Sequence, residues 1–399
     1  MPQEREMAIV EALDHFGPIK QENECGRTDK MEAGTHNLQT GRRTGYQNHI
    51  TGLKGAACVL IMLGHFLGLY KYAQQFEPGF PLIDSIRGSR FSFLLNEGYW
   101  LYLFFVISGY LIARSEIKSM KDVIFKIINR FFMFAFPILF AYLVIFMIYL
   151  LVGFHTEETT SFFRCDWYQN TYLGQYTFTD VLFGPIMVIL GKPVLNSPYW
   201  VLRDMFISSV AIYGLKYGLK KFFAQKRELA FSILMTITVA SMAVSQIITA
   251  CLIGMVISLY CDDKEIITTP GFAVWSMIVG MAIYFLPPSV VASVFFASLV
   301  IFIPRVECIN RLFCSKAFQY LGKISWGIYS FHWPLICSLG ALIIVNCSSQ
   351  FGLSGTYLAA CILTGMASIV LSAIFYHTFE RLASRLTLLV SKFFQRIIY

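Results

Sequence analysis

The sequence predicts an all-α, polytopic integral membrane protein with about ten transmembrane helices, both termini cytoplasmic, and a re-entrant or interfacial segment near 181–195. Three observations predict it. Only 14% of the 399 residues are charged and 56% are hydrophobic, whereas a soluble chain carries about 25% charged residues, so most of the outer surface is expected to face hydrocarbon. Apolar stretches of spanning or near-spanning length recur from residue 52 to residue 377. Lys and Arg gather in every second connection between them, the pattern expected of cytoplasmic loops. Together these exclude a disordered chain, a secreted disulfide scaffold and a nucleic-acid-binding module.

Residues 1–49 hold six Lys/Arg against eight Asp/Glu, while the remaining 350 residues hold the other 26 basic and 16 acidic ones. The first segment is therefore read as a polar, acidic, loosely ordered cytoplasmic tail. It lacks an apolar run of signal-peptide length, so insertion is expected to begin at the first spanning helix. Spans are expected at 52–70, 97–114, 131–152, 200–219, 229–245, 246–260, 271–286, 289–303, 324–346 and 356–377. The run 229–260 is too long for one ordinary span and divides near Ser245-Gln246 into two short helices. The stretch 181–195 contains Pro185 and Pro193 and is followed by Pro198, which makes it a poor span. The membrane domain is expected over 50–382, followed by a basic amphipathic cytoplasmic end over 383–399.

Basic residues test the count. Lys118, Lys121, Lys126 and Arg130 follow the second span, Lys216, Lys220, Lys221, Lys226 and Arg227 the fourth, Arg305, Arg311, Lys316 and Lys323 the eighth, and Arg381, Arg385, Lys392 and Arg396 the tenth. This alternation holds only if 181–195 stays on the outer side. The loops at 71–96, 153–199 and 346–355 then face outward, and the acidic loop Asp262–Glu265 faces inward. Of ten cysteines most lie in apolar runs as small hydrophobes. Cys165 and Cys347 lie in polar loops, and would be placed to form a disulfide if these share the outer side. No Cys/His metal spacing and no internal repeat is visible.

Ionisable residues within a span cost about 2.5–3.5 kcal/mol each, so each calls for a function or a partner. His65 stands in the apolar first span, eleven positions after Lys54. At about 100° per residue the two share one helix face about 16 Å apart along the axis. A cation at the membrane surface below an imidazole at mid-depth suits a substrate channel; alternatively Lys54 is a snorkelling anchor and His65 a hydrogen-bonded core residue. His332 stands beside Trp333 and Pro334 in the ninth span, with a structural hydrogen bond or a substrate-side role open to it. Glu380 is read as pairing with Arg381, and Asp204 with Arg203. Trp200 opens the fourth span as an aromatic-belt residue or a stacking platform for a sugar ring.

The first helix, Gly52-Leu53-Lys54-Gly55-Ala56-Ala57 running to Gly64-His65, resembles the opening signature of the acyltransferase-3 family of integral membrane O-acyltransferases. Leu103-Phe104-Phe105-Val106-Ile107-Ser108-Gly109-Tyr110-Leu111-Ile112-Ala113-Arg114 is similar to that family's next signature. Ser197-Pro198-Tyr199-Trp200 resembles its outer Trp segment, Leu321-Gly322-Lys323-Ile324-Ser325-Trp326-Gly327-Ile328-Tyr329-Ser330-Phe331-His332-Trp333-Pro334 its late helix, and Tyr376 through Glu380 its terminal motif. The five landmarks occur in family order over residues 50–382.

The resemblance implies a ten-helix enzyme of the cytoplasmic (inner) membrane that moves an acyl group, usually acetyl from cytoplasmic acetyl-CoA, onto a hydroxyl of lipopolysaccharide, capsule, exopolysaccharide or another envelope glycan. No hydrolase-like domain follows the membrane portion, so the stand-alone type is expected, with no tightly bound cofactor and no metal. By position, His65 is the expected catalytic histidine and Lys54 its cationic partner. Arg114 and Arg130 fall near the expected donor site, with Ser108 and Gly109 allowing close helix approach or backbone contact with the donor; Trp200, His332 and Tyr102 are the expected acceptor-side residues. A neutral imidazole suits removal of a hydroxyl proton, and Lys54, Lys118, Lys121, Arg114 and Arg130 offer cations for the donor phosphates. Tyr102 occupies the region where relatives commonly place an Asp partner of the histidine, Glu97 lies a turn or more outward, and Phe134 stands where a second Arg is common. The rival readings are a transporter or flippase for a glycan or lipid intermediate, lined by His65 and His332, and a catalytically silent member with a scaffolding role.

Overall fold

The computed structural model describes residues 35–72, 80–81, 84–85, 96–163, 165–261 and 288–399, and among these every regular element is helical. The tail before residue 35, most of the loop 71–96, the acidic stretch 262–265 and the expected span 271–286 lie outside the described residues.

Helix α1 (Thr35–Tyr72) contains the first span, Asn48–Tyr70, and reaches back into the segment read as a tail. Helix α2 (Glu97–Arg114) starts at Asn96, whose side chain accepts from the Gly98 N–H at 3.0 Å and satisfies one of the free donors of the first turn. At its other end Lys216 donates to the carbonyls of Ala113 and Ser115, a cation placed where the helix dipole favours one. Helix α3 (Met120–Leu151) begins well before the expected 131–152 because Ser119 and Asp122 form a reciprocal capping box. Its 32 residues rise about 48 Å against a hydrocarbon thickness of about 30 Å, so Lys121, Lys126 and Arg130 lie on helix rather than in a loop.

Helix α4 (Phe178–Ile189) is the segment read as a poor span. Its 12 residues, with Pro185 inside, rise about 18 Å, less than the hydrocarbon thickness. Helix α5 (Trp200–Phe223) follows. Helices α6 (Arg227–Ser241) and α7 (Gln246–Tyr260) divide the long apolar run where expected, with the Ser245 hydroxyl accepting from the Ile248 N–H as the cap of α7.

Helix α8 (Pro288–Phe302) leads through α9 (Glu307–Phe313) and α10 (Lys316–Lys323) to α11 (Ser325–Leu335). Pro334 lacks an N–H, and directly after it the chain widens into a π turn over Ile336–Gly340 before α12 (Ala341–Phe351). Helix α13 (Leu353–Phe375) ends in a second π turn, Tyr376–Glu380, and continues as α14 (Arg381–Ile398). Five helical stretches among the described residues are long and apolar enough to cross a membrane: Asn48–Tyr70, Met120–Leu151, Pro288–Arg305, Ser325–Phe351 and Leu353–Ile398.

Helix α2 is central and packs against α1, α5, α7 and α8. Its tightest contact is with α7, where a Cβ on Gly109 would overlap the Cys251 carbonyl oxygen and a Cβ on Gly254 would overlap that of Val106. The two backbones touch because both side chains are hydrogen, the small-residue packing that replaces the hydrophobic driving force between helices in lipid. The disulfide expectation fails: Cys165 is buried, Cys347 lies within α12, and no disulfide joins them.

Candidate active site

A cavity opens between α1, α2, α3, α5, α10, α11 and the π turn after α13. Helix α1 sends Asn48, Thr51, Lys54 and Cys58 into it from one stripe, as the 3.6-residue period requires. Helix α2 contributes Phe104, Phe105 and Ser108, α3 contributes Arg130 and Phe134, α10 contributes Gln319 and Lys323, and α11 contributes Trp326 and Tyr329. Tyr376 and Glu380, the two ends of one π turn, complete the wall. The lining thus holds three cations, one carboxylate and a majority of ring and aliphatic carbon.

Arg130 is 5% exposed, and two of its N–H groups are bonded to neighbouring hydroxyls. Its Nε donates to Ser209 Oγ at 3.1 Å, its Nη2 to Ser108 Oγ at 3.2 Å, and its guanidinium lies 4.7 Å over the Phe134 ring. Phe134 serves as the face on which the Arg130 guanidinium rests. Ser108 therefore has a double place, on the cavity wall and in the grip on Arg130, while Gly109 serves the contact with α7. Glu380 is 3% exposed, its Oε2 has no hydrogen-bond partner, and Lys54 is the charged group that acts on it. The expected pairing of Glu380 with Arg381 is not found. Arg381 instead stacks over Tyr376, 5.9 Å from its centroid, because side chains of adjacent helical residues diverge and Glu380 is turned inward.

His65 does not line this cavity, contrary to the expectation that Lys54 and His65 share one. It sits three turns farther along α1 in a cluster of rings. Its centroid is 5.0 Å from that of His332, 5.3 Å from Trp333 and 6.0 Å from Trp167, and Trp167 and Trp333 stack at 4.9 Å. His65 Nδ1 donates to the Ile61 carbonyl at 2.9 Å and His332 Nδ1 to the Ile328 carbonyl at 2.9 Å. A carbonyl only accepts, so each Nδ1 carries the proton and each neutral ring keeps its acceptor lone pair on Nε2. The Nε2 of His332, a residue 1% exposed, has no hydrogen-bond partner. The acid beside His65 is Glu97, at the start of α2. It comes this near because residue 64 is glycine: a Cβ there would lie 2.8 Å from the Glu97 nitrogen and 2.9 Å from its Cβ.

The cavity and the ring cluster adjoin. Tyr329, on the cavity wall, has its ring 6.1 Å from that of His332. The other expected residues lie elsewhere. Arg114 is exposed and donates to Tyr110 Oη at 2.6 Å. Tyr102 donates to Gln246 Oε1 at 3.0 Å, and Trp200 is 52% exposed. Lys118 forms an exposed pair with Glu116 at 3.3 Å. Asp204 pairs with Arg203 at 2.9 Å as expected and also accepts from Ser245 Oγ at 3.1 Å. Sequence reasoning missed Trp167, Glu97 as the neighbour of His65, and the inward turn of Glu380. Among the described residues no group of three His, Cys, Asp or Glu side chains is placed to hold a metal ion.

Comparison with curated proteins and with solved structures gives no match. A family model described as an acyltransferase domain, Acyl_transf_3, matches residues 48–377, a span that contains Lys54, Arg130, His65 and His332 and ends inside the π turn that presents Glu380. The chain belongs to the acyltransferase-3 family of membrane proteins.

Proposed function

We propose that the protein is a multi-pass enzyme of the cytoplasmic (inner) membrane that transfers an acetyl group from cytoplasmic acetyl-CoA to a hydroxyl of an envelope glycan, such as lipopolysaccharide, capsule or exopolysaccharide. Ten spans, cytoplasmic termini and a non-crossing α4 belong to the same reading, since they put the cavity cations on the donor side. The observation that carries the proposal is the adjacency of two chemically different sites. Tyr329, on the wall of the cation-lined cavity, has its ring 6.1 Å from that of His332, which in turn lies 5.0 Å from His65; the Nε2 lone pairs of these two rings are the basic imidazole positions of the ring cluster.

The roles follow from these positions. Lys54, Lys323 and Arg130 hold the anionic donor, with Lys54 a point charge in place of the planar fork of Arg. His65 Nε2 takes the proton from the acceptor hydroxyl as that oxygen attacks the thioester carbonyl. The C–S bond breaks as the C–O bond forms, and the imidazolium returns its proton to the departing thiolate. Glu97 supports the imidazolium in the interval. Trp167, 38% exposed, offers a ring face on which an acceptor sugar would stack near His65, and Trp200, 52% exposed, is the other platform.

The test compares glycan mass spectra from cells lacking the protein and from cells complemented with wild type or His65→Ala. Loss of an acetyl-sized mass that wild type restores and His65→Ala does not is the expected result. Restoration by both removes His65 from the mechanism. An unchanged modification pattern with altered glycan export indicates transport instead.

A further inference from the structure

Glu380 is the one feature of the cavity that binding of an anion does not explain. A phosphate or a carboxylate satisfies Lys54, Lys323 and Arg130 but is repelled by a carboxylate whose Oε2 is buried without a partner. A cationic ligand would satisfy Glu380 and be repelled by the three cations. No salt bridge joins Lys54 to Glu380, so the two face the same space from α1 and from the π turn without closing on each other. The group that fits between an ammonium and a carboxylate carries an acceptor and a donor side by side. A sugar hydroxyl has both, but a sugar brings several more polar groups into a wall built largely of Phe104, Phe105, Phe134 and Trp326, where they would go unpaired. A secondary amide set in a chain of methylenes brings one of each.

We propose that Lys54 and Glu380 together read a secondary amide of the acyl donor, the Lys54 ammonium donating to its carbonyl and the Glu380 carboxylate accepting from its N–H, so that the cavity takes a pantetheine arm. The inference rests on the donor reading above and assigns Glu380 a binding role in it. The same arm occurs in coenzyme A and on acyl carrier proteins, and the experiment separates the two.

Full-length protein in detergent is titrated with coenzyme A, with a coenzyme A analogue in which an ester oxygen replaces one amide nitrogen of the arm, each amide position in turn, with adenosine 3′,5′-bisphosphate, and with pantetheine. On wild type one of the two ester analogues is expected to bind about ten- to a hundred-fold more weakly than coenzyme A, the range for one hydrogen bond to a charged group. Glu380→Ala is expected to weaken coenzyme A by the same factor, to add nothing to the loss already caused by that ester, and to leave bisphosphate binding no weaker than in wild type; Glu380→Gln, which keeps an acceptor oxygen, recovers part of the loss. Both ester analogues binding as tightly as coenzyme A overturns the proposal through wild type alone, whatever the variants do to folding. Equal weakening of coenzyme A and bisphosphate by Glu380→Ala also overturns it, since Glu380 would then act by holding the cavity wall and its cations in place and not on the arm. Pantetheine binding as tightly as coenzyme A supports the amide reading and moves the donor from coenzyme A to a carrier-protein thioester. Failure of every arm-bearing ligand to bind wild type overturns the donor reading as well.

Discussion

Replacing Gly109 by Ala adds one methyl group where α2 and α7 touch. The new Cβ would lie 2.6 Å from the Cys251 carbonyl carbon and 2.8 Å from its Cα, and nearer still to the oxygen. Carbon atoms rest at about 3.5–4.0 Å, so the helices must part by about 1 Å. The obstacle is backbone in mid-helix, which has no rotamer to escape into, and overpacking of this kind costs about 1–3 kcal/mol. The neighbouring residue links this displacement to the site. Ser108 accepts from Arg130 at 3.2 Å, and a further ~1 Å breaks a hydrogen bond of that length. A displacement of that size at a positioned group costs up to about a hundred-fold in rate. The control is Gly214→Ala, at a helical glycine with nothing within 4 Å of its would-be Cβ, which should be neutral or stabilising by up to about 1 kcal/mol. Thermal unfolding in detergent and acetyl transfer in complemented cells are read on both variants. The reasoning is refuted if Gly109→Ala is as stable and active as wild type, or if Gly214→Ala is equally damaging.

Two further outcomes follow from the geometry. Arg130→Lys cannot bond Ser209 and Ser108 together, as the Nε and Nη2 of Arg130 do at 3.1 and 3.2 Å; it is expected to lose one charge-assisted bond, about 1.5–3 kcal/mol, seen as a lower unfolding midpoint together with weaker donor binding. Glu97→Gln keeps the shape beside His65 and removes the charge. General base catalysis contributes about 10²–10⁴-fold, so a fall in kcat of about tenfold or more with donor KM unchanged is expected in purified protein, and a change in KM alone would remove Glu97 from the chemistry.

What was legible in the sequence is what local periodicity and local chemistry decide. The division of the 229–260 run is one case, because Ser245 combines a polar break with a cap for α7. Where local signals compete, the reading slipped. Hydropathy placed the start of α3 at 131, but the Ser119–Asp122 capping box starts the helix earlier. The pairings of Arg203 with Asp204 and of Glu380 with Arg381 look identical as adjacent opposite charges, yet only the first forms. Arg203 is half exposed, so its long side chain swings freely round to its neighbour, whereas Glu380 is held inside.

The composition of the histidine cluster lies beyond any local signal. Trp167 comes from the short helix Asp166–Gln169, about a hundred residues downstream of His65, and Glu97 comes near the imidazole because α2 approaches α1 at Gly64. Relatives commonly place the acid partner within the second helix, and here Tyr102 stands in that region, turned away to Gln246. The acid near His65 is instead the first residue of α2, and the glycine at 64 lets it approach: a Cβ there would push Glu97 away from His65, so Gly64→Ala should reproduce the kinetic defect of Glu97→Gln without altering His65 or Glu97. A Gly64→Ala enzyme with wild-type kcat would show that the closeness of Glu97 has no part in catalysis.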